Sequence, residues 1–157
     1  MTAYLSKDFE PSEPAQEIWY PLRCLGPEID VSVSLHPAEA QALRTRREQP
    51  PPSIPANGLI DTGASMTVLD DRLFTGLRPS VVGVIPLKPF QEQPPIMASV
   101  VHIRLEFPGS RLPPWDHPVA VAPLSTKTGG TLVLLGRDFL QNYIFEYDGR
   151  NGRIALR

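Results

Sequence analysis

Residues 59–65 read Leu-Ile-Asp-Thr-Gly-Ala-Ser, which places a carboxylate directly after two apolar, strand-forming residues. Short apolar runs lie on both sides, so the sequence predicts two strands joined by a tight loop that begins at Asp61. Gly63 lets the backbone turn sharply and pass close to a bound molecule. The hydroxyls of Thr62 and Ser65 can form hydrogen bonds within such a turn. Taken alone, the segment fits a carboxylate held for chemistry and an aspartate that caps an ordinary turn equally well.

A second motif distinguishes between these two interpretations. Residues 134–140 read Leu-Leu-Gly-Arg-Asp-Phe-Leu, an apolar pair followed by a glycine. Residues 131–135 are apolar almost throughout, which is typical of a central strand buried on both faces. Residues 137–142 are suited to one or two helical turns. The chain thus carries a second strand end that is closed by glycine and a short helix.

The two motifs, together with Thr67-Val68-Leu69, resemble those of the retropepsin-like aspartic proteases, which include the retroviral proteases and single-domain cellular and bacterial relatives. The resemblance covers roughly residues 58–157 and the strand at 29–36. It implies a closed β-barrel, one lobe of the acid-protease fold, that supplies one catalytic aspartate per subunit. Asp61 matches that aspartate.

The resemblance also implies roles for the residues around Asp61. The hydroxyl of Thr62 would reach across a dimer axis, and the backbone of Gly63 would contact substrate in a loop that continues through Ala64 and Ser65. The segment beneath this loop matches Leu134, Leu135 and Gly136, and Arg137 matches the arginine that ties the short helix to the barrel.

Two departures from the family pattern stand out. Retroviral members usually carry an acid where Ser65 stands, which leaves open the partner of Arg137; Asp70 and Asp71 are weak candidates. Residues 84–108 contain no glycine, although retroviral flaps are glycine-rich. Phe90 is the candidate for an apolar contact between the flap and substrate, and a packed loop aromatic is the equally supported alternative.

The rest of the chain predicts short strands. Ile29, Val31, Val33 and Leu35 alternate with polar residues, which indicates a half-buried strand, and residues 101–107 repeat the pattern. Pro37 opens a short helix over residues 38–44, an insertion between two strands. Further strands are predicted at 80–85 and 118–122, and a hairpin joins 143–147 to 153–156.

The proline content and the alternation of apolar and polar residues together predict the fold class. The 19 prolines in 157 residues exceed twice the ordinary usage of about 5%, and proline breaks helix interiors. We expect an all-β closed barrel of seven to nine strands with one or two short helices. Residues 1–27 are expected to form an extended arm, and residues 28–157 the domain.

Charge and composition exclude several classes. The 15 basic and 17 acidic residues give a net charge of −2, so no strong field attracts nucleic acid or a membrane surface. No apolar run approaches the ~20 residues of a membrane span, and residues 1–17 lack the apolar core of a secretory signal. Cys24 is the single cysteine and excludes an internal disulfide. We expect a cytoplasmic protein.

No other constellation predicts chemistry. The three histidines, His36, His102 and His117, lack the spacing of metal ligands and are interpreted as surface or strand-face residues. We therefore expect no metal and no cofactor. The segment 115–117, Trp-Asp-His, is interpreted as a loop anchor.

The sequence favours an aspartic endopeptidase. Its mechanism needs two carboxylates that share a proton, yet the chain holds one Asp-Thr-Gly and no Asp-Ser-Gly. The second carboxylate must then come from another copy, and a twofold homodimer would bring Asp61 against its own mate. The substrate would be a peptide or protein. The alternative is a catalytically silent module of the same fold that dimerises or binds peptides.

Overall fold

The computed structural model describes residues 2–8, 26–88, 94–124 and 132–157. Within these residues the chain forms ten strands and three short helices: β1 (Leu5–Asp8), β2 (Glu28–Leu35), α1 (Pro37–Thr45), β3 (Ile54–Ile60), β4 (Val68–Asp70), α2 (Asp71–Leu77), β5 (Val81–Leu87), β6 (Ile96–Glu106), β7 (Trp115–Ala122), β8 (Val133–Leu135), α3 (Arg137–Leu140), β9 (Phe145–Asp148) and β10 (Arg153–Leu156). The prediction of an all-β fold with short helices is confirmed, with one strand and one helix more than expected.

Six strands close into a barrel in the order β2-β3-β8-β4-β7-β6, because β2 also pairs with β6. The pairs β3–β8 and β4–β7 are parallel, and the other pairs are antiparallel. Strand β8 runs between β3 and β4, so the loop that joins β3 to β4 must pass over its end. The predicted closed barrel and central position of β8 are confirmed.

The barrel interior follows the alternation in the sequence. Ile29, Val31, Val33 and Leu35 of β2 are all buried, with exposed fractions of 4% or less. Several buried apolar residues of β6 and β8, and those of α3 and β10, join them in one core cluster. Burying this much apolar surface is the main favourable contribution to folding.

Three prolines lie within strands, at positions where one side of the strand has no pairing partner. The N–H group that proline lacks is therefore not needed for a hydrogen bond between strands. Pro86 belongs to β5, the edge strand of the seven-stranded sheet. Pro55 of β3 pairs with β2, but β8 pairs with β3 only at residues 58–60. Pro118 of β7 pairs with β6, but β4 pairs with β7 only from Ala120 onward. Proline is tolerated at such open edges, which explains how a proline-rich chain builds a barrel.

The helix α2 was not expected from the sequence. Asp70 caps its N-terminus by accepting a hydrogen bond from the Arg72 N–H at 3.0 Å, and Leu73 and Leu77 bury its inner face. Thr75 and Gly76 are poor helix formers, so propensity is weak and capping and burial stabilise this turn instead. By contrast, α1 lies between β2 and β3 and confirms the predicted insertion.

The extra strand comes from the N-terminal segment. Leu5–Asp8 pairs antiparallel with β10, which also pairs with β9 in the predicted hairpin, and these three strands form a small second sheet. Cys24, and the rest of residues 9–25, lie outside the described residues, so the extended arm and its boundary stay predictions.

The interpretation of residues 115–117 as a loop anchor is wrong, because β7 begins at Trp115 and continues through Ala122. Within the described residues no helix is long and apolar enough to span a bilayer.

Candidate active site

The loop that follows β3 is fixed from its first residue. The Asp61 N–H donates a hydrogen bond to the carbonyl of Leu135 in β8 at 3.0 Å, and the Ala64 N–H donates to the Asp61 carbonyl at 3.2 Å. The first bond continues the β3–β8 ladder by one residue, and the second closes a tight turn. Asp61 is therefore held at the end of a barrel strand, as the sequence predicts.

The Asp61 carboxylate is held by its own loop and stays open to solvent. The Gly63 N–H donates to Asp61 Oδ1 at 2.8 Å. A Cβ atom at position 63 would lie 3.1 Å from the same oxygen, which is tighter than ordinary contact, so glycine suits this close approach. Asp61 is half-buried, whereas Thr62, Gly63 and Ser65 are exposed. Among the described residues the carboxylate forms no ion pair.

Gly136 allows the second motif to contact the Asp61 loop directly. A Cβ atom at position 136 would lie 2.5 Å from the carbonyl carbon of Met66, a distance that only a backbone shift could relieve. Leu135, just before it, is fully buried in the core, and Leu134 packs beside Met66 and Val68 in a smaller cluster. The structure thus places Leu134, Leu135 and Gly136 directly against the loop.

Arg137 binds the loop through backbone oxygens. Its N–H donates to the Ala64 carbonyl at 2.9 Å, and its Nη1 donates to the carbonyl of Thr62 at 3.0 Å, with the Gly63 carbonyl at 3.5 Å. A guanidinium without a nearby carboxylate can satisfy its donors with carbonyl oxygens. Arg137 therefore ties α3 to the loop through these backbone carbonyl oxygens.

The weak candidates for the partner of Arg137 are wrong. Asp70 is fully buried and accepts hydrogen bonds from the Arg72 Nε at 3.0 Å and from the Leu124 N–H at 2.8 Å. Asp71 is exposed in the first turn of α2.

Thr67 and Asp138 form a brace that the sequence analysis missed. The Thr67 N–H donates to Asp138 Oδ2 at 2.9 Å, and its hydroxyl donates to Asp138 Oδ1 at 2.8 Å. The same hydroxyl accepts a hydrogen bond from the Gly136 N–H at 3.2 Å. Thr67 is fully buried, so these bonds replace water that it cannot reach. Thr67 belongs to the quoted segment 67–69, and Asp138 belongs to the quoted segment 134–140. The available sequence signal was a hydroxyl in one motif and a carboxylate in the other.

The β5–β6 hairpin lies beside this region and carries the predicted flap. Ile85 and Leu87 of β5 pack on the small cluster that contains Val68, near the Met66 side chain. Ile96, the first residue of β6, is 41% exposed and lies outside that cluster. Phe90 falls in residues 89–93, outside the described residues, so its role stays a prediction.

The outer face of the same hairpin is apolar and exposed. Val82 and Val84 are each 56% exposed and Met97 is 68% exposed. The hairpin therefore packs one face on the small cluster that contains Val68 and turns the other face toward solvent.

Residues 2–8, 26–88, 94–124 and 132–157 offer no alternative centre with comparable chemistry. A cavity of about 740 Å³ lies between α1, residues 49–53 and the β2–β6 edge, and none of residues 61–67 lines it. Among the described residues there is no group of three or more His, Cys, Asp or Glu side chains arranged to hold a metal ion. Among the described residues, the Asp61 carboxylate therefore stays the candidate group for chemistry.

Comparison with known proteins yields likenesses at the level of structure. No family model matches the chain, and no curated protein matches its sequence. Three solved structures that match are the EIAV protease in complex with the inhibitor HBY-793 (18% identity, TM-score 0.44, covering 74% of this chain and 86% of that one), a retropepsin-like aspartic protease from Rickettsia conorii (13%, 0.45, 83% and 90%) and the retroviral protease-like domain of Ddi1 from Leishmania major (12%, 0.40, 83% and 91%).

The likeness is one of fold. The three structures are of a retroviral protease, a retropepsin-like aspartic protease and a retroviral protease-like domain, which is the class of protein that the two sequence motifs resemble. At such identities and TM-scores they say nothing of activity, so the chemistry has to be judged from the loop around Asp61 itself.

Proposed function

We propose that this chain is one half of an aspartic endopeptidase, active as a homodimer in which each subunit contributes Asp61. The observation that carries the proposal is the state of that carboxylate. It is fixed by the Gly63 N–H at 2.8 Å, lies in a loop clamped by Arg137, and keeps most of its acceptor positions free of contact with the residues that the structure describes. A carboxylate offers about four lone-pair sites, and a water and a substrate carbonyl can use those left over.

Two such carboxylates would do the chemistry. Held about 3 Å apart, they cannot both ionise, so one stays protonated. The ionised Asp61 would take a proton from a bound water as the water attacks the scissile carbonyl, and the protonated Asp61 would donate its proton to the carbonyl oxygen. Because the acid and the base belong to the pair, we expect activity to be highest in mildly acidic solution and to fall as the shared proton is lost.

The need for a second subunit follows from the other carboxylates near the loop. Asp138 and Asp70, the obvious partners within one chain, already accept hydrogen bonds from backbone and side-chain donors. The hydroxyl of Thr62, by contrast, lies on an exposed residue and is available to a second copy. We propose that it braces the two loops across the dimer axis.

The cluster beside the loop favours an apolar, extended substrate. Val68, Ala98, Ala120 and Leu124 form its buried part, and Ile85 of the hairpin packs on it. Such a surface suits apolar side chains on either side of the cut bond, and β5 presents an open strand edge to which an extended peptide could add. Because the chain has a single cysteine and so forms no internal disulfide, we propose that the protease acts in the cytoplasm.

Activity against enzyme concentration tests the proposal. If each subunit carries half a site, hydrolysis of a peptide mixture per milligram of protein falls on dilution as dimers dissociate. Thr62→Ala should steepen the fall, since a lost hydrogen bond of ~1–3 kcal/mol weakens dimerisation about five- to 150-fold. If the protein is a monomer with constant specific activity at every concentration, the proposal that each subunit carries half of the active site is refuted.

The second candidate function is a silent module of the same fold. The absence of glycine from residues 84–108 and the exposed apolar face of the hairpin favour it. A statine-type mimic of the transition state separates the two, because only an assembled pair of carboxylates binds it tightly. Dimerisation without inhibitor binding or peptide cleavage would favour the silent module.

A further inference from the structure

His117 lies next to the brace that holds the Asp61 loop. It is on β7, opposite Ile103 of β6, and its ring stacks on Trp115 with centroids 4.4 Å apart and planes at 17°. The Trp115 ring in turn packs edge-on against Phe139 of α3 at 5.4 Å. The imidazole is therefore fixed between β7 and the helix that follows the second motif, and it is not a free surface side chain.

The nearest charged group is the carboxylate of the brace. His117 Nε2 lies 3.9 Å from Asp138 Oδ2, the oxygen that accepts the Thr67 N–H at 2.9 Å. Asp138 Oδ1 accepts both the Thr67 hydroxyl and the Phe139 N–H at 2.8 Å. An imidazolium at this position therefore attracts the same carboxylate that holds Thr67 in place.

We propose that His117 is a positioning residue for Asp61, which acts through Asp138 and Thr67 and acts most strongly when its imidazole is protonated. The catalytic consequence rests on the proposed function; the effect on the fold does not. A protonated His117 stabilises the Asp138 carboxylate in its bonded position. Since Thr67 stands one residue before β4, this keeps the end of the Asp61 loop against β8 in acidic solution.

The other charged groups nearby are engaged elsewhere. Asp116, the neighbour on β7, points to the opposite face of the strand and forms a bidentate pair with Arg104 of β6 at 2.7 Å. Arg137 of α3 is bound to the loop carbonyls of Thr62 and Gly63. Among the described residues, Asp138 is the carboxylate within ion-pair distance of His117.

The interaction between His117 and Asp138 depends on pH. The attraction exists only while the imidazole carries its proton and the carboxylate does not, so it is stronger in acidic than in basic solution.

Thermal unfolding of His117→Phe at pH 5.5 and pH 8 tests the pair without any assay of activity. Phenylalanine keeps a ring to stack on Trp115 but cannot donate or carry charge. We expect Tm to fall by about 0.4–4 °C at pH 5.5 and by less than half of that at pH 8. His102→Phe, the same change at an exposed histidine of β6, should show no such difference between the two pH values.

A double-mutant cycle assigns the effect to Asp138. In the Asp138→Asn background, His117→Phe should no longer lower Tm more at pH 5.5 than at pH 8, because the charge is gone. A loss in His117→Phe that is equal at both pH values, or that persists in the Asp138→Asn background, would overturn the proposal.

Kinetics then measure the consequence for the reaction. In His117→Phe, kcat for peptide cleavage should fall about two- to fivefold at pH 5.5 and much less at pH 7.5, with KM nearly unchanged. An unchanged kcat ratio at both pH values would contradict the positioning role. If the wild-type protein cleaves no peptide, the proposed function fails, while the unfolding cycle still decides whether His117 and Asp138 are coupled.

Discussion

The loop that carries Asp61 and the helix that carries Asp138 hold their carboxylates in different ways. Asp138 accepts three hydrogen bonds, from the Thr67 N–H, the Thr67 hydroxyl and the Phe139 N–H, and its side chain is 14% exposed. Within the part of the chain that the structure describes, the Asp61 carboxylate accepts one, from the Gly63 N–H, and the residue is half-buried. One carboxylate is used by the fold, and the other is fixed but left available.

This difference shows how a chain can place an aspartate for chemistry. The rigidity of the Asp61 loop comes from its backbone, through Arg137, Leu135 and the close contact at Gly136, rather than from bonds to the carboxylate itself. Groups that are held by their surroundings in a productive geometry avoid reorganisation during the reaction. Under the proposed function, the described surroundings would leave oxygens of Asp61 free for a water and for a second carboxylate.

The largest effect should come from removing the available carboxylate. Asp61→Asn can still accept the Gly63 N–H but cannot act as a base, so we expect peptide cleavage to fall by about 10²–10⁴-fold or more. Tm should change little. Asp71→Asn, at an exposed position in the first turn of α2, is the matched control and should cleave normally. Cleavage by Asp61→Asn at the wild-type rate would contradict the assignment of Asp61, rather than Asp138, as the carboxylate available for chemistry.

The contact at Gly136 should be the most sensitive point of the backbone clamp. In Gly136→Ala the new Cβ meets the Met66 backbone at 2.5 Å, whereas in Gly83→Ala it meets only Val100 Cβ, at 4.0 Å. Overpacking of this kind costs about 1–3 kcal/mol, which lowers Tm by about 2–12 °C in a domain of this size. Equal Tm values for the two variants would show that the second motif does not clamp the loop.

The brace at Thr67 separates a structural hydroxyl from an exposed one. Thr67→Val keeps the shape of the side chain but removes its hydroxyl. Asp138 Oδ1 then loses one hydrogen-bond donor, and the Gly136 N–H loses its acceptor. We expect the free energy of unfolding to fall by about 1–3 kcal/mol. Thr62→Val, on an exposed residue, should leave the unfolding of the subunit within about 0.5 kcal/mol. A larger loss of stability in Thr62→Val than in Thr67→Val would contradict the roles given to the two threonines.

The smallest effect concerns Asp116, a carboxylate held by an ion pair and not by backbone. The Arg104 guanidinium, which donates to its oxygens at 2.7 Å, lowers the pKa of Asp116. A lowered pKa in the folded state gives stability that is present above the unfolded value near 3.9 and is lost as the pH falls through the folded value. Asp116→Asn should cost about 0.2–1 kcal/mol at pH 7. Denaturant titrations of the two proteins should converge as the pH falls below the unfolded value near 3.9.

Sequence alone predicts the parts of this molecule that depend on local pattern. The alternation in β2, the hairpin of β9 and β10, and the Asp61 loop each follow from residues that are close together in the chain. The closed barrel required one further step, the resemblance of two motifs, because no local pattern states which strands pair.

What the sequence does not predict depends on contacts between distant segments. Thr67 and Asp138 meet across 71 residues, and Leu5–Asp8 pairs with a strand at the other end of the chain. The stacking of His117 on Trp115 follows once β7 begins at Trp115, which two prolines at 113–114 obscure. Helix α2 is short and contains Thr75 and Gly76, so its cap at Asp70 was its one local signal.

Subunit mixing tests the central claim that two Asp61 side chains make one site. Wild-type protein is incubated with Asp61→Asn at constant total concentration until subunits exchange, and peptide cleavage is measured against the wild-type fraction. If each site needs Asp61 from both subunits, activity follows the square of that fraction, so an equal mixture retains about a quarter of the wild-type rate. Activity proportional to the fraction itself, about half in the equal mixture, would mean that each subunit holds a complete site and would contradict the half-site.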